Sequence, residues 1–209
     1  MMRPWLLIAA LALAGCQAGT LGQTASAPPP EPTDGLAAIP PCPDRLSATL
    51  NTGTVVDFAG AAPHHPDICL RRMNGHTYRY FLGFWGDGWF HDGTPEERAA
   101  IRQVLTGPVG TTARFPLPQR TALLLWRSAT VTHLGDPNLS LGTAAPRRTV
   151  LIRVERRGPP DRADLGTETL IWLDRATLIP LKREEVVHMA HGTERQLAWR
   201  VRALTPASE

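Results

Sequence analysis

The chain is poor in lysine: only Lys182 among its 22 basic residues is a lysine, and the others are arginine. These bases are interspersed with 19 acidic residues, leaving a formal net charge of +3. No basic run and no nucleic-acid-binding motif occurs, so a nucleic-acid partner is not expected. Cysteine is scarce too, with three in 209 residues and no Cys-x-x-Cys spacing, which argues against a redox dithiol or a zinc knuckle. G-x-S-x-G, P-loop and H-E-x-x-H motifs are all missing. Ser47, Ser128 and Ser140 lack the surroundings of a nucleophile. The carboxylate pairs Asp87 with Asp92 and Asp161 with Asp164 fall in expected loops, where nothing in their spacing holds them at a catalytic separation. The expectation is therefore a protein that is not an enzyme and needs no cofactor. Beyond the N-terminal segment, no apolar run is long enough to span a bilayer.

That N-terminal segment has a clear pattern. Arg3 provides a positive start, and an apolar run from Trp5 to Ala14 follows, too short for a membrane span. It ends in Leu13-Ala14-Gly15-Cys16, which resembles the lipobox of bacterial lipoproteins. The resemblance implies cleavage after Gly15 and acylation of Cys16 as the first mature residue. Gln17 stands where lipoproteins retained in the inner membrane often carry aspartate, which points to the outer membrane. Residues 1–15 then form a signal peptide, and residues 16–41 a lipidated tether with six prolines from Gln17 to Pro41. Residues 42–205 are expected to be a single periplasmic domain acting as a monomer. Two cysteines remain for an oxidising compartment, and Cys42 with Cys69 is expected to form a structural disulfide. A catalytic or metal-binding thiol pair is the alternative.

The domain reads as mainly β. Strands are expected at Val55–Ala59, across Ile68–Leu82 with a hairpin turn at Asn74-Gly75, and along Thr121–Leu134. Thr149–Arg156 alternates, with Val150, Ile152 and Val154 on one face and Arg153 and Glu155 on the other. Glu168–Asp174, Leu178–His188 and Glu194–Ala203 complete a meander, the last with Leu197, Trp199 and Val201 on its apolar face. One helix is expected over Pro95–Leu105, capped by Thr94, with Glu97 completing a capping box and Gly107-Pro108 ending it. The fold class that follows is a curved antiparallel sheet, a half-barrel or open barrel, with one packed α-helix.

Trp172-Leu-Asp-Arg-Ala-Thr-Leu-Ile-Pro-Leu-Lys-Arg-Glu184 resembles a hairpin of periplasmic half-barrel proteins, the LolA, LolB and RseB type. Within it, Asp174 is expected to bond turn amides and Pro180 to open a strand. Gly107–Phe115 and Thr149–Glu155 have spacings similar to those of barrel-like envelope proteins. The resemblance spans roughly residues 107–203. It implies a concave apolar surface that holds a lipid or lipoprotein-like ligand.

Two clusters leave their reading open. GFWGDGWFHDG, residues 83–93, combines four glycines with Phe84, Trp85, Trp89 and Phe90. These aromatics could seal a core corner, contact membrane or lipid, or stack on a sugar between Asp87 and Asp92. His64-His65-Pro66-Asp67 and the pair His188 and His191 offer metal-ligand types, although i and i+3 on a strand face opposite sides. The plain alternative is exposed loop histidines. Two functions follow from this sequence. One is a non-enzymatic envelope lipoprotein that binds a hydrophobic or lipoprotein-like ligand in the concave face. The other is a structural or interaction lipoprotein that contacts peptidoglycan, glycan or another envelope protein without a cavity.

Overall fold

A computed structural model describes residues 35–82, 84, 93–117, 126–159, 166–189 and 192–207. These form one open, curved antiparallel sheet of eleven strands with a single helix. The strands are β1 (Asp44–Leu50), β2 (Val55–Ala62), β3 (His65–Met73), β4 (His76–Phe81), β5 (Thr112–Pro116), β6 (Ser128–Gly135), β7 (Asn138–Leu139), β8 (Arg147–Arg157), β9 (Gly166–Asp174), β10 (Pro180–Met189) and β11 (Gly192–Pro206). Helix α1 runs Pro95–Thr106 between β4 and β5. The spatial order is β4-β3-β2-β1-β11-β10-β9-β8-β6-β5, with the short β7 paired to β8. Two meanders thus meet where the first strand pairs with the last.

The topology explains the curvature. β4 and β5 are the two outer strands of the ladder, yet the chain passes from one to the other through α1. The helix therefore has to touch both ends of the sheet. It packs on β5 and β6, and Arg102 reaches back to Asp67 in β3 and lies 5.3 Å over the Phe81 ring in β4. Its buried stripe, Ala100, Ile101, Val104 and Leu105, is the one that the spacing predicts. The capping box of Thr94 and Glu97 is present, with Pro95 at its start. Leu36 donates from its backbone to the Leu105 carbonyl at 2.9 Å and is itself buried. A Cβ on Gly35 would come within 2.3 Å of the Thr106 backbone, so the approach to the helix end needs glycine. Gly35 and Leu36 thus pack against the end of α1.

The interior consists of two clusters. In the first, the α1 stripe packs on Phe115, Ala129, Val131, Val150, Ile152, Val154, Ile171 and Leu173, together with Ile68 and Phe81. The second joins Ala48, Leu50, Val56, Phe58, Cys69, Tyr80, Ile179, Leu181 and Val201. The β3–β4 hairpin serves both: Ile68 pairs with Phe81 on one face, and Cys69 with Tyr80 on the other. That double burial accounts for Tyr80, Phe81 and Leu82 all being buried in succession. The turn at Asn74-Gly75 has φ of 53° and 76°, the left-handed pair that a two-residue hairpin requires.

Several boundaries shift. β2 runs to Ala62 and β8 begins at Arg147, each longer than its alternation implies. β1, β5 and β7 carry no strong period-two signal and were not expected as strands. Of the strand expected over Thr121–Leu134, Ser128–Leu134 belongs to β6, and 121–125 lie outside the described residues. The apolar face expected for Leu197, Trp199 and Val201 is broken by a register shift opposite Arg183 and Glu184. Trp199 pairs with Arg183, but Leu197 pairs with Glu184 on the other face and is 47% exposed. A bulge inserts one residue and turns everything beyond it over.

Candidate ligand-binding face

Directly paired residues of an antiparallel ladder share a face, so the register builds the inner face row by row. One row is His133–Ile152–Ile171–Arg183–Trp199. The next is Val131–Val154–Thr169–Glu185–Gln196. A third begins Ala129–Arg156–Thr167. Under α1, on β6, β8 and β9, the first two rows are buried. Moving onto β10 and β11 they open: Glu185 and Trp199 are half-buried and Gln196 is exposed. The third row opens earlier, since Arg156 and Thr167 are already half-buried. The inner face therefore runs from a dry apolar floor to an open, polar corner at β8–β11.

Two arginines belong to this face. Arg183 is 5% exposed and donates to a Glu185 carboxylate oxygen at 2.8 Å. Burial lowers its pKa, and Glu185 opposes that shift. Arg156, one row beyond Glu185, is held down to about 10, first by burial and then by the charge of Arg183. A guanidinium resists losing its proton, and the direction of the shift reflects first the loss of solvent around Arg156. The opposite face is of another kind, with ion pairs around the buried Leu170 and Val186. Lys182 binds Glu184 at 2.6 Å and lies 4.3 Å over the Trp172 ring, while Arg153 and Arg157 flank Glu155.

Arg156 was legible in the sequence, since alternation from Val150, Ile152 and Val154 puts it on the apolar face. Arg183 was not, because the register shift between Pro180 and Lys182 fixes which way it points.

The predicted site residues lie elsewhere. Cys42 and Cys69 form a disulfide with a Cα–Cα distance of 5.2 Å, tying the chain before β1 to β3 inside the second cluster. Phe84 packs, partly buried, against the first cluster, with its backbone donating to the Phe81 carbonyl at 2.8 Å. Trp85, Trp89 and Phe90 lie outside the described residues, as do Cys16 and the pairs Asp87 with Asp92 and Asp161 with Asp164. His64 has φ of 62° in the turn between β2 and β3, and both it and His65 are exposed. Asp67 beside them is taken by Arg102. The backbone of His188 is in β10, paired with Thr193 and Gly166, and His191 lies outside the described residues. Among the described residues, no three His, Cys, Asp or Glu side chains gather as a metal site.

A shallow depression of about 420 Å3 at the β9–β10 turn is lined by Arg147, Arg148, Asp174 and Arg175. Its arginines are largely committed to structure. Arg147 donates twice to Asp174, at 2.9 and 3.0 Å, and the Thr177 hydroxyl donates to the same carboxylate at 2.7 Å. The carboxylate therefore serves Arg147 and Thr177 where turn amides were expected. Arg175 donates to Asp136 at 2.8 Å and to the Gly35 carbonyl at 3.1 Å. Asp136 also faces Nε2 of the fully buried His133 at 3.1 Å, and His133 Nδ1 lies 3.1 Å from the Gly107 carbonyl. This network joins the end of α1, the end of β6 and the β9–β10 turn.

No family model, curated protein or solved structure matches the chain.

Proposed function

We propose that the chain is an envelope lipoprotein, held at the periplasmic side of the outer membrane by acylation of Cys16. It acts without catalysis, binding a lipid or lipoprotein-like ligand on the inner face of its half-barrel. One observation carries this reading. The inner face continues past the helix that covers it: Glu185 extends the row of Val154 and Thr167 the row of Ala129, both half-buried, while Trp199 extends the row of Ile171 and packs against the second cluster. The uncovered corner at β8–β11, beside that packed floor, is where an apolar ligand would meet the face. The N-terminal pattern supports the location, because the L-A-G-C tetrapeptide follows its apolar run directly.

The second reading, an interaction lipoprotein contacting peptidoglycan, glycan or another envelope protein, draws on the dense packing of both clusters, in which Val56, Val104, Leu105, Val150, Ile152 and Leu181 are fully buried. Native mass spectrometry of protein purified from its own envelope separates the two. A lipid adduct beyond the covalent anchor supports the carrier reading, and the anchored mass alone supports the interaction reading. Cys16→Ser tests the anchor: the protein should leave the membrane fraction, and wild-type fractionation would end that part of the proposal.

A further inference from the structure

We propose that the depression at the β9–β10 turn is a membrane-docking site, where Arg147 and Arg148 hold the phosphate of an anionic lipid in the bilayer that anchors the chain. This rests on the acylated Cys16 proposed above and adds a second, non-covalent contact to it.

The charges at this end of the domain are layered. Its acids, Asp174 and Asp136, have side chains only 3% and 2% exposed. The bases are nearer the solvent: the Arg147 and Arg175 side chains are 36% and 22% exposed, and Arg148 is exposed. Three guanidiniums over two carboxylates leave one positive charge in excess, and burial of the acids leaves it on the outside. The donors are divided as well. Arg147 gives Nε and Nη2 to Asp174 and keeps Nη1. Arg175 bonds Asp136 and the Gly35 carbonyl. The Arg148 side chain makes no hydrogen bond or ion pair among the described residues. Structure is thus served by Arg147 and Arg175, while the fork of Arg148 and the Nη1 of Arg147 are left for an anion in the depression that they line. A guanidinium matches a phosphate in two-point contact.

Two observations point to a lipid phosphate over a soluble one. The first is the path of the chain. Gly35, whose carbonyl accepts from Arg175, is the first described residue, and Leu36 beside it is buried. Residues 17–34 connect it to Cys16 and reach at most about 65 Å. An acylated Cys16 keeps the bilayer within that distance of Gly35 and raises the local concentration of headgroups. The second is a pair of apolar side chains left in solvent, Val109 at 37% and Leu134 at 38% exposed. Their backbones adjoin, since the Gly110 amide donates to the His133 carbonyl at 2.8 Å. His133 is joined in turn to Arg175 through Asp136, which places the pair at the same end of the domain. Arginines beside exposed apolar side chains suit an anionic bilayer surface, whereas a soluble anion makes no use of the apolar pair.

The test uses protein purified from its own envelope, whose mass first records the acylation of Cys16. It is incorporated into vesicles of phosphatidylcholine, alone or mixed with phosphatidylglycerol. Hydrogen exchange is then followed at Val109–Thr111 and Arg175–Thr177. Exchange should be roughly fivefold slower in the anionic vesicles, the factor for one arginine at such a surface, and high salt should abolish the difference. Arg148→Ala, which leaves both aspartates paired, should bring the two rates together. Arg195→Ala removes another exposed charge, toward the far end of β10, and should keep the difference. Acylated protein with equal exchange in both vesicles overturns the docking site and leaves the anchor standing. Protein without the acyl mass overturns the anchor and the docking built on it. The same slowing by inorganic phosphate with neutral vesicles means a soluble-anion site and overturns the membrane contact. A difference that survives Arg148→Ala, or is lost equally with Arg195→Ala, overturns the assignment to this depression.

Discussion

Replacing both Cys42 and Cys69 by alanine should cost this domain about 3.6 kcal/mol. The bond closes a segment with a sequence separation of 27. In the chain-entropy relation a loop of that length removes about 12 cal/mol/K from the unfolded chain, or about 3.6 kcal/mol at room temperature. The figure is an upper estimate for the crosslink alone, but Cys69 is also 2% exposed within the second cluster, beside Phe58 and Tyr80. Trimming its sulfur adds a small packing loss in the same direction. For a domain of this size the sum corresponds to a melting temperature lower by roughly 7 to 14 °C. Urea unfolding of the Cys16→Ser chain, with and without the double replacement, is the assay. If the crosslink works through the unfolded state, the m-value should rise as the midpoint falls, because the uncrosslinked chain exposes more surface. A loss under about 1 kcal/mol with an unchanged m-value would refute the argument.

The remaining predictions concern the helix, the buried network and pH. Thr94→Ala should cost about 1 kcal/mol by removing the cap of α1, and adding Glu97→Ala should cost less than its separate effect, since the two share one capping box. Asp136→Ala takes away the carboxylate that His133 and Arg175 share, and chemical denaturation should show a loss of about 3 to 5 kcal/mol. Arg148→Ala nearby, on an exposed side chain, should stay within about 0.5 kcal/mol of the parent. Burial raises the Tyr80 hydroxyl well above its ordinary pKa of 10.0, an effect that Arg71 partly offsets. The unfolded chain therefore releases this proton first, and the stabilisation is complete below pH 10 and lost as pH climbs beyond it. Tyr80→Phe should flatten the alkaline arm of the stability curve; an arm as steep as the parent's would count against this.

Much of the fold could be read from local pattern, and the reasons differ by element. α1 was legible because its cap, its proline and its apolar stripe are all written within thirteen residues. The β3–β4 turn was legible because Asn74-Gly75 supplies two left-handed positions that few other dipeptides accept. β1 and β5 were not, because they gain their place from partners far along the chain: β1 lies between β2 and β11, and β5 pairs only with β6. The face of Leu197 was misread for a similar reason, since a bulge is a property of two strands and alternation is a property of one. The candidate site followed the same division. Arg156 could be placed by counting in twos, whereas its neighbourhood with Arg183 depends on β9 lying between β8 and β10.

The central claim, that a lipid-like ligand binds at the open corner of the inner face, is tested most directly by paramagnetic broadening. A fatty acid carrying a nitroxide on its chain would be added to the isotope-labelled Cys16→Ser protein. The account predicts broadening of the Thr169, Ile171, Val154 and Arg183 amides, lost when unlabelled oleate competes. Broadening centred on Trp172, Lys182 and Leu197 of the opposite face, or none at all, would contradict it.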